Sequence, residues 1–378
     1  MAEGKIYDAI VVGAGGMGSA AAYHLARNGA EVLVIEQFAT GHALGSSHGE
    51  TRAIRMLYDK EFYTRLMPSA YEEWRRLEAA AGDQLLYVTG SPVMAPEGHP
   101  HTVQRAALLE QAGVAYEWWE PDQLMRRFPQ FTVPPETRVL WQPDTGFVLA
   151  SRSVATHLEL AVRHGAEIRD RLPVDEIRWE ADPLEVAAGG ARYRGRAVVC
   201  AAGAWSGRLL AELGLPLQVR RQQIAHFRPD DPERYQVGVF PVYVDATDAE
   251  VMYGFPLIGI PGVKVARDGL GDLVSPDDCD RTPDEDHLEY LRDFMRRRIP
   301  GAAGEVVEAQ VCLYTETPDL DFIIDAHPDC PCLLIAAGFS GHGFKFTALV
   351  GRLLTEMVLR GEPTADLRPF RVDRFTVG

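Results

Sequence analysis

Three glycines in "VVGAGGMG", Gly13, Gly15 and Gly18, stand in G-x-G-x-x-G spacing. They follow the apolar run "YDAIVV" and open a stretch of helical spacing, which is the context that motif needs. Gly13 allows a tight turn, Gly15 lets the backbone approach a pyrophosphate, and Gly18 lets helix and strand pack closely. Gly16 and Met17 lie in the same turn, where free N–H groups and the helix dipole favour an anion. Glu36 closes a second apolar strand, "EVLVIEQF", and is placed to accept hydrogen bonds from ribose hydroxyls, with Gln37 beside it. A glycine-rich turn without a ligand is the bland alternative. Both flanking strands and the acid at this spacing favour a dinucleotide, without separating NAD from FAD.

Further along, "GSSHGETRAIR" supplies Ser46, Ser47, His48, Thr51, Arg52 and Arg55 just after the ribose strand. Arg52 and Arg55 are three apart, so a helical turn would put them on one side. "AAGFSGHGFKFTALVG" holds Gly338, Gly341, His342, Gly343 and Lys345. Glycines there let a backbone lie against something flat, and N–H groups with Lys345 would stabilise negative charge on a reduced flavin. This second glycine-rich turn, near the C-terminus, favours FAD over NAD. Lys264 ends an apolar stretch that also carries Tyr253, and snorkelling to solvent is its ordinary fate. Cys312, in "QVCLYTETPD" with Tyr314, is either a small buried apolar residue or a covalent attachment point. Cys200 reads as core, Cys330 and Cys332 in "DCPC" as a loop pair, and no His or Cys cluster completes a metal site.

The elements that must position these residues come in three α/β blocks with strand-rich segments between them. The first 40 residues read as β-α-β, residues 61–80 as a helix ending at Gly82, and "SRSVATHLELAVRHGA" and "DEDHLEYLRDFMRRRIPG" as further helices. "GRAVVCAAGAWSGRLLAELG" and the C-terminal segment each read strand, turn, helix. The expected fold class is α/β: a discontinuous Rossmann-type FAD-binding domain (1–83, 150–216 and 311–378). A substrate domain (84–149 and 217–310) is built on a mostly antiparallel sheet with flanking helices.

The 378 residues suffice for two such domains. A net charge of -16 argues against nucleic acid and anionic membranes as partners, though not against a small anionic substrate. No apolar run reaches the ~18 residues of a membrane span. The N-terminus enters a strand at once, the C-terminus carries no peroxisomal or lipidation signal, and five cysteines make no disulfide framework. A cytoplasmic location is therefore expected.

The segments "DAIVVGAGGMGSAAAYHLA", "GSSHGETRAIR", "YGFP", "VCLYTETPD", "FIIDAHP" and "AAGFSGHGFKF" together resemble the monomeric sarcosine oxidase and N-methyltryptophan oxidase group of flavoproteins, over nearly the whole chain. The resemblance implies FAD bonded covalently through Cys312 and a substrate carboxylate gripped by Arg55 and Lys345. It implies that Arg52 lies against the ring, that Lys264 promotes reaction with O2, that Tyr253 and Tyr314 line the cavity, and that His342 sits beside the ring. The implied cofactor contacts are Gly13, Gly15, Gly16, Met17, Gly18, Glu36, Gln37, Ser46, Thr51, Arg52, Val174, Ala202, Gly203, Trp205, Cys312, Gly341, Gly343 and Lys345. The implied reaction oxidises a secondary amino acid to an imine and reduces O2 to hydrogen peroxide, in a monomer. Alternatives are a cyclic or bulkier N-substituted acid, or a dehydrogenase or complex subunit with another acceptor. Asp268 stands where sarcosine oxidases commonly carry a cavity histidine, and Val244 where they carry a larger methionine. Both departures put the match to sarcosine itself in question.

Overall fold

Ile6–Val12 (β1) runs parallel between two neighbours, Val32–Ile35 (β2) and Ala191–Cys200. These strands are continuous apolar runs because helices cover the sheet. Glu167–Arg169 extends the parallel order beyond β2, and Cys330–Ala337 extends it beyond Ala191–Cys200. Antiparallel strands Val174–Arg178, Leu184–Ala188 and Ile323–His327 complete this sheet. The structure is a computed structural model, described over residues 5–269 and 271–375.

Gly16–Arg27 (α1) packs between the helices Ala150–Arg163 and Thr347–Arg360. The fit leaves no room for larger residues. A Cβ on Gly18 would lie 1.9 Å from the Gly13 carbonyl oxygen, and one on Gly351 would lie 2.5 Å from the Ala20 Cβ. Glu61–Ala81 (α2) ends at Gly82 in the left-handed region, the stop that its sequence announces. Trp74 on α2 is fully buried and donates its indole N–H to the Lys345 carbonyl at 2.7 Å. Pro100–Gln111 (α3) starts with proline in its first turn and packs beside α2.

A second sheet has the strand order Val306–Glu316, Gln218–Phe227, Val263–Arg267, Met252–Phe255, Tyr243–Asp245, Ser91–Pro96, Thr137–Gln142, Glu117–Trp119. Every pairing is antiparallel except Tyr243–Asp245 with Ser91–Pro96. The helix Glu285–Arg298 seals it with Leu288, Leu291, Phe294 and Met295. A small third sheet joins Thr51–Ile54 (β3) to Gly146–Leu149 and Leu86–Val88.

Three local expectations need correction. Arg52 lies on strand β3 and Arg55 just past it, not on a helical turn. Successive strand side chains alternate faces, so the two arginines diverge. Cys330 and Cys332 open a strand rather than a loop, since pairing with Ile323–His327 recruits them. The strand Val306–Glu316 lies wholly in the second sheet, so a boundary at 311 divides a strand. Among the described residues no helix is long and apolar enough to cross a membrane.

The Trp74 bond joins α2 to the segment bearing Lys345. Trp74→Phe leaves that buried carbonyl unpartnered and is expected to cost about 1–3 kcal/mol, read as a lower midpoint in urea unfolding.

Candidate active site

The parallel strands end at a cleft. Its floor is the turn after β1, where Gly13 takes φ +99° because a Cβ there would meet the Ala201 carbonyl at 2.5 Å. The α1 N-terminus faces this turn with no side-chain cap and no acidic residue in its first turn. Ser47 meets it from outside, accepting the Gly16 N–H at 3.0 Å. Glu36 is buried and accepts from the Ala14 N–H at 2.8 Å and the Phe38 N–H at 2.9 Å. Burial pushes its carboxyl pKa up, but bonds from His42, Ala14 and Phe38 outweigh that and leave it lowered, so it stays an anionic acceptor.

Of the candidate cofactor residues, Gly13, Gly15, Gly16, Met17, Glu36, Gln37, Ser46, Arg52, Val174, Ala202, Gly203, Trp205, Gly341 and Gly343 line the cleft. Tyr314 lines it too. Gly18 instead serves helix packing. Thr51, Cys312 and Lys345 stand behind the lining. Cys312 is buried two residues before Tyr314 on the same strand face. Burial raises its thiol pKa, while Arg52, Lys264 and Arg281 oppose the rise.

Beyond the cleft are two cation centres. At the first, the Thr51 carbonyl accepts from Lys264 Nζ at 2.9 Å and from Arg52 at 2.9 Å. Arg52 also donates to the Ser46 and His48 carbonyls. Lys264 is only 4% exposed and lies 4.7 Å from the Phe255 ring centroid. Snorkelling therefore fails as its explanation: Thr51, through its carbonyl and hydroxyl, and the Phe255 ring cover the ammonium on its face of the sheet. Burial and then Arg52 lower its pKa to about 7.

At the second centre, Arg55 and Lys345 approach the Tyr58 ring at 5.4 and 5.5 Å. Lys345 Nζ donates to the His342 carbonyl at 2.6 Å. Burial and Arg55 hold the Lys345 pKa well below its usual value, and burial with Lys345 does the same for His342, whose ring stays neutral. The hydroxyls of Tyr253 and Tyr314 meet at 3.2 Å, and burial raises both of their pKa values. Asp268 is exposed but close enough for its charge to act on Tyr253, Tyr314 and Lys345. Among the described residues, Arg52, Arg55, Lys264 and Lys345 form no ion pair with a carboxylate.

Sequence reading missed Tyr58, Trp74, Thr347 and Arg105. Trp74 reads as a helix aromatic and Tyr58 gives no signal, and only packing brings them to the loop of Lys345. Ser47 and His48 were visible as polar residues in a small-residue stretch, but nothing signalled their partners.

The family model described as FAD dependent oxidoreductase matches residues 8–357. The chain belongs to that family. It is 33% identical to the monomeric sarcosine oxidase of Bacillus sp. (strain NS-129), with 97% of each chain covered. It is 31% identical to the N-methyl-L-tryptophan oxidase of Salmonella arizonae, covering 98% of this chain and 99% of that one. Among solved structures, NikD, an amino acid oxidase of nikkomycin biosynthesis, superposes with TM-score 0.87 at 26% identity over 97% of both chains.

The cleft suits FAD on its own geometry. His48 Nε2, Thr315 Oγ1 and Thr347 Oγ1 line it, are buried, and lack a hydrogen-bond partner among the described residues. A polar ligand would satisfy them. A Cβ on Gly341 would strike the Tyr314 ring at 2.3 Å, so this backbone lies flat against the cleft wall.

Folding lowers the Lys264 pKa from 10.5 to about 7, so between those values the unfolded chain binds the extra proton. Stability then rises with pH across that window, and the cost of burying the charge is greatest below it. Lys264→Met should therefore raise the Tm by roughly a few degrees near neutral pH, with the gain shrinking toward pH 10. Calorimetry across that range checks the sign.

Proposed function

We propose that the chain oxidises a secondary amino acid of the sarcosine type, an N-methyl amino acid, to an imine. Water then hydrolyses the imine to an amino acid and an aldehyde. FAD, held by the turn after β1 and by Glu36, would supply the redox chemistry: it would take the two electrons lost from the carbon next to nitrogen and pass them to O2, giving hydrogen peroxide. The observation carrying this reading is the set of buried cations without carboxylate partners beside a dinucleotide cleft.

Each group has an assignable task. Arg55 and Lys345 hold the substrate carboxylate: a fork and a point charge in a dry cavity grip it more firmly than either alone. Their positive charge disfavours an ammonium nearby, so the amine is held neutral and no strong side-chain base is required. Tyr253 and Tyr314 wall the cavity and exclude water. Neutral His342 braces Lys345 through its carbonyl and touches Tyr58 through Nδ1 at 3.4 Å. Gly13, Gly15, Gly16, Met17 and the α1 N-terminus would hold the pyrophosphate, Glu36 the ribose, and Arg52 with the loop of Gly341 and Gly343 the ring. Lys264 stabilises negative charge developing on oxygen, which favours an oxidase over an enzyme with another electron acceptor. Cys312 is the residue available for covalent attachment. Asp268 and the small Val244 favour a cyclic or bulkier N-substituted acid as a second reading of the substrate. The chain acts as a monomer, as its sarcosine oxidase relative is named. All five cysteines are unpaired, which fits a reducing cytoplasm.

Anaerobic mixing of the purified protein with sarcosine should bleach the flavin absorbance. Arg55→Gln should lower kcat/KM by about 10–100-fold, the worth of a charged hydrogen bond. Unbleached flavin with every N-methyl, cyclic and N-substituted acid tried would overturn the reading. After acid precipitation, the flavin colour should stay with the pellet of wild-type protein and move to the supernatant of Cys312→Ala.

A further inference from the structure

Arg105, on α3, has no task in the reaction above, yet its side chain is buried to 12% exposure beside the second cation centre. Its Nη1 contacts His101, its own helix neighbour one turn back. Its Nη2 lies 3.9 Å from Asp59, a long contact to a carboxylate that is itself 55% exposed and so well hydrated. Its Nε is buried without a hydrogen-bond partner among the described residues. Arg55 shares that condition, because its Nε is also buried and unpartnered.

The two arginines are neighbours in space. Asp59, which Arg105 approaches, follows directly on Tyr58, whose ring Arg55 and Lys345 both approach. Burial and then Arg55 lower the Arg105 pKa to about 10, while Asp59 and Asp268 partly offset them. Burial followed by Arg105 and Arg55 lowers the His101 pKa to about 3, so this ring adds no further charge at neutral pH. Three side-chain cations thus crowd the surroundings of Tyr58, where the aspartates are an exposed Asp59 and an exposed Asp268. A buried guanidinium with an open donor edge is costly unless an anion meets it. One substrate carboxylate occupies Arg55 and Lys345 and leaves the Arg105 edge open.

We propose that Arg105 is a specificity-determining residue that receives a second acidic group on the substrate. The preferred substrate is then a dicarboxylic secondary amino acid, such as an N-methylated acidic amino acid. Its α-carboxylate lies on Arg55 and Lys345, and its side-chain carboxylate reaches the Nε–Nη2 edge of Arg105. This rests on the reading of the site as a secondary amino acid oxidase.

The test compares holoenzyme kcat/KM for N-methyl-L-aspartate, N-methyl-L-glutamate and N-methyl-L-alanine in wild type, Arg105→Gln and Arg105→Lys. Wild type should favour one dicarboxylate over N-methyl-L-alanine by about tenfold or more. Arg105→Gln should lose at least about tenfold more on that dicarboxylate than on N-methyl-L-alanine, and Arg105→Lys should recover part of the difference. No preference in wild type, or equal losses on all three in Arg105→Gln, overturns the assignment. If no secondary amine reduces the flavin, the function reading fails separately. Titrating glutarate and butyrate against the flavin spectrum then decides about Arg105. Tighter glutarate binding that Arg105→Gln abolishes upholds the anion site, and equal binding overturns it.

Discussion

Positive charge buried without carboxylate partners is the constraint on which the site depends. Lys264 and Lys345 are each 4% exposed, and their ammonium groups are held by backbone carbonyls of Thr51 and His342. A carbonyl dipole offsets part of the desolvation cost but leaves the net charge in place. The remainder appears as depressed lysine pKa values and as arginine Nε donors with nothing to bind. Such a site is unfavourable empty and becomes favourable when an anion enters, which is how binding energy can be stored in an apoprotein.

The architecture makes that storage possible by bringing three sheets to one place. β3 belongs to the small sheet, yet its first residue, Thr51, accepts Lys264 from the second sheet. Ser46, just before β3, donates to the Leu313 carbonyl on the outer strand of that same second sheet. The parallel sheet contributes the cleft floor, and the last helix begins beside it at Thr347. Lys264 thus finds its counter-dipole on a distant segment, at Thr51, whereas Arg52 and Lys345 are held by carbonyls of their own loops. Small residues at Ala20 and Gly351 let α1 and the last helix approach closely, and Gly18 lets α1 pack against the turn after β1.

The two cation centres differ in how an anion could reach them. The first, at Thr51, is covered by the segments around it, and among the described residues no aspartate or glutamate forms an ion pair with it. The second lies beside exposed Asp59 and Asp268, and its lysine and arginines come from separate elements. Asp268 is exposed there, and its charge acts on Tyr253, Tyr314 and Lys345.

The dinucleotide turn, the ribose acid, the covering helices and the antiparallel second sheet were legible in the sequence, because each is a local pattern. Glycine spacing fixes a turn, period fixes an element, and a left-handed stop such as Gly82 ends a helix wherever it stands. Motif spacing also singled out Arg52, Arg55, Lys264 and Lys345. Burial was not legible. A lysine after an apolar run reads the same whether it reaches water or is trapped under another segment, and only the packing of Thr51 over its face of the sheet decides for Lys264. The relation of Arg52 to Arg55 reversed for a similar reason: three residues apart means one face on a helix and opposite faces on a strand, and strand pairing with Gly146–Leu149 made the choice. Arg105 carried no signal at all, since an arginine on an amphipathic helix is ordinarily solvated. The packing of α3 beside α2 alone turned it inward, because long-range contacts, not local spacing, determine which charges lose their water.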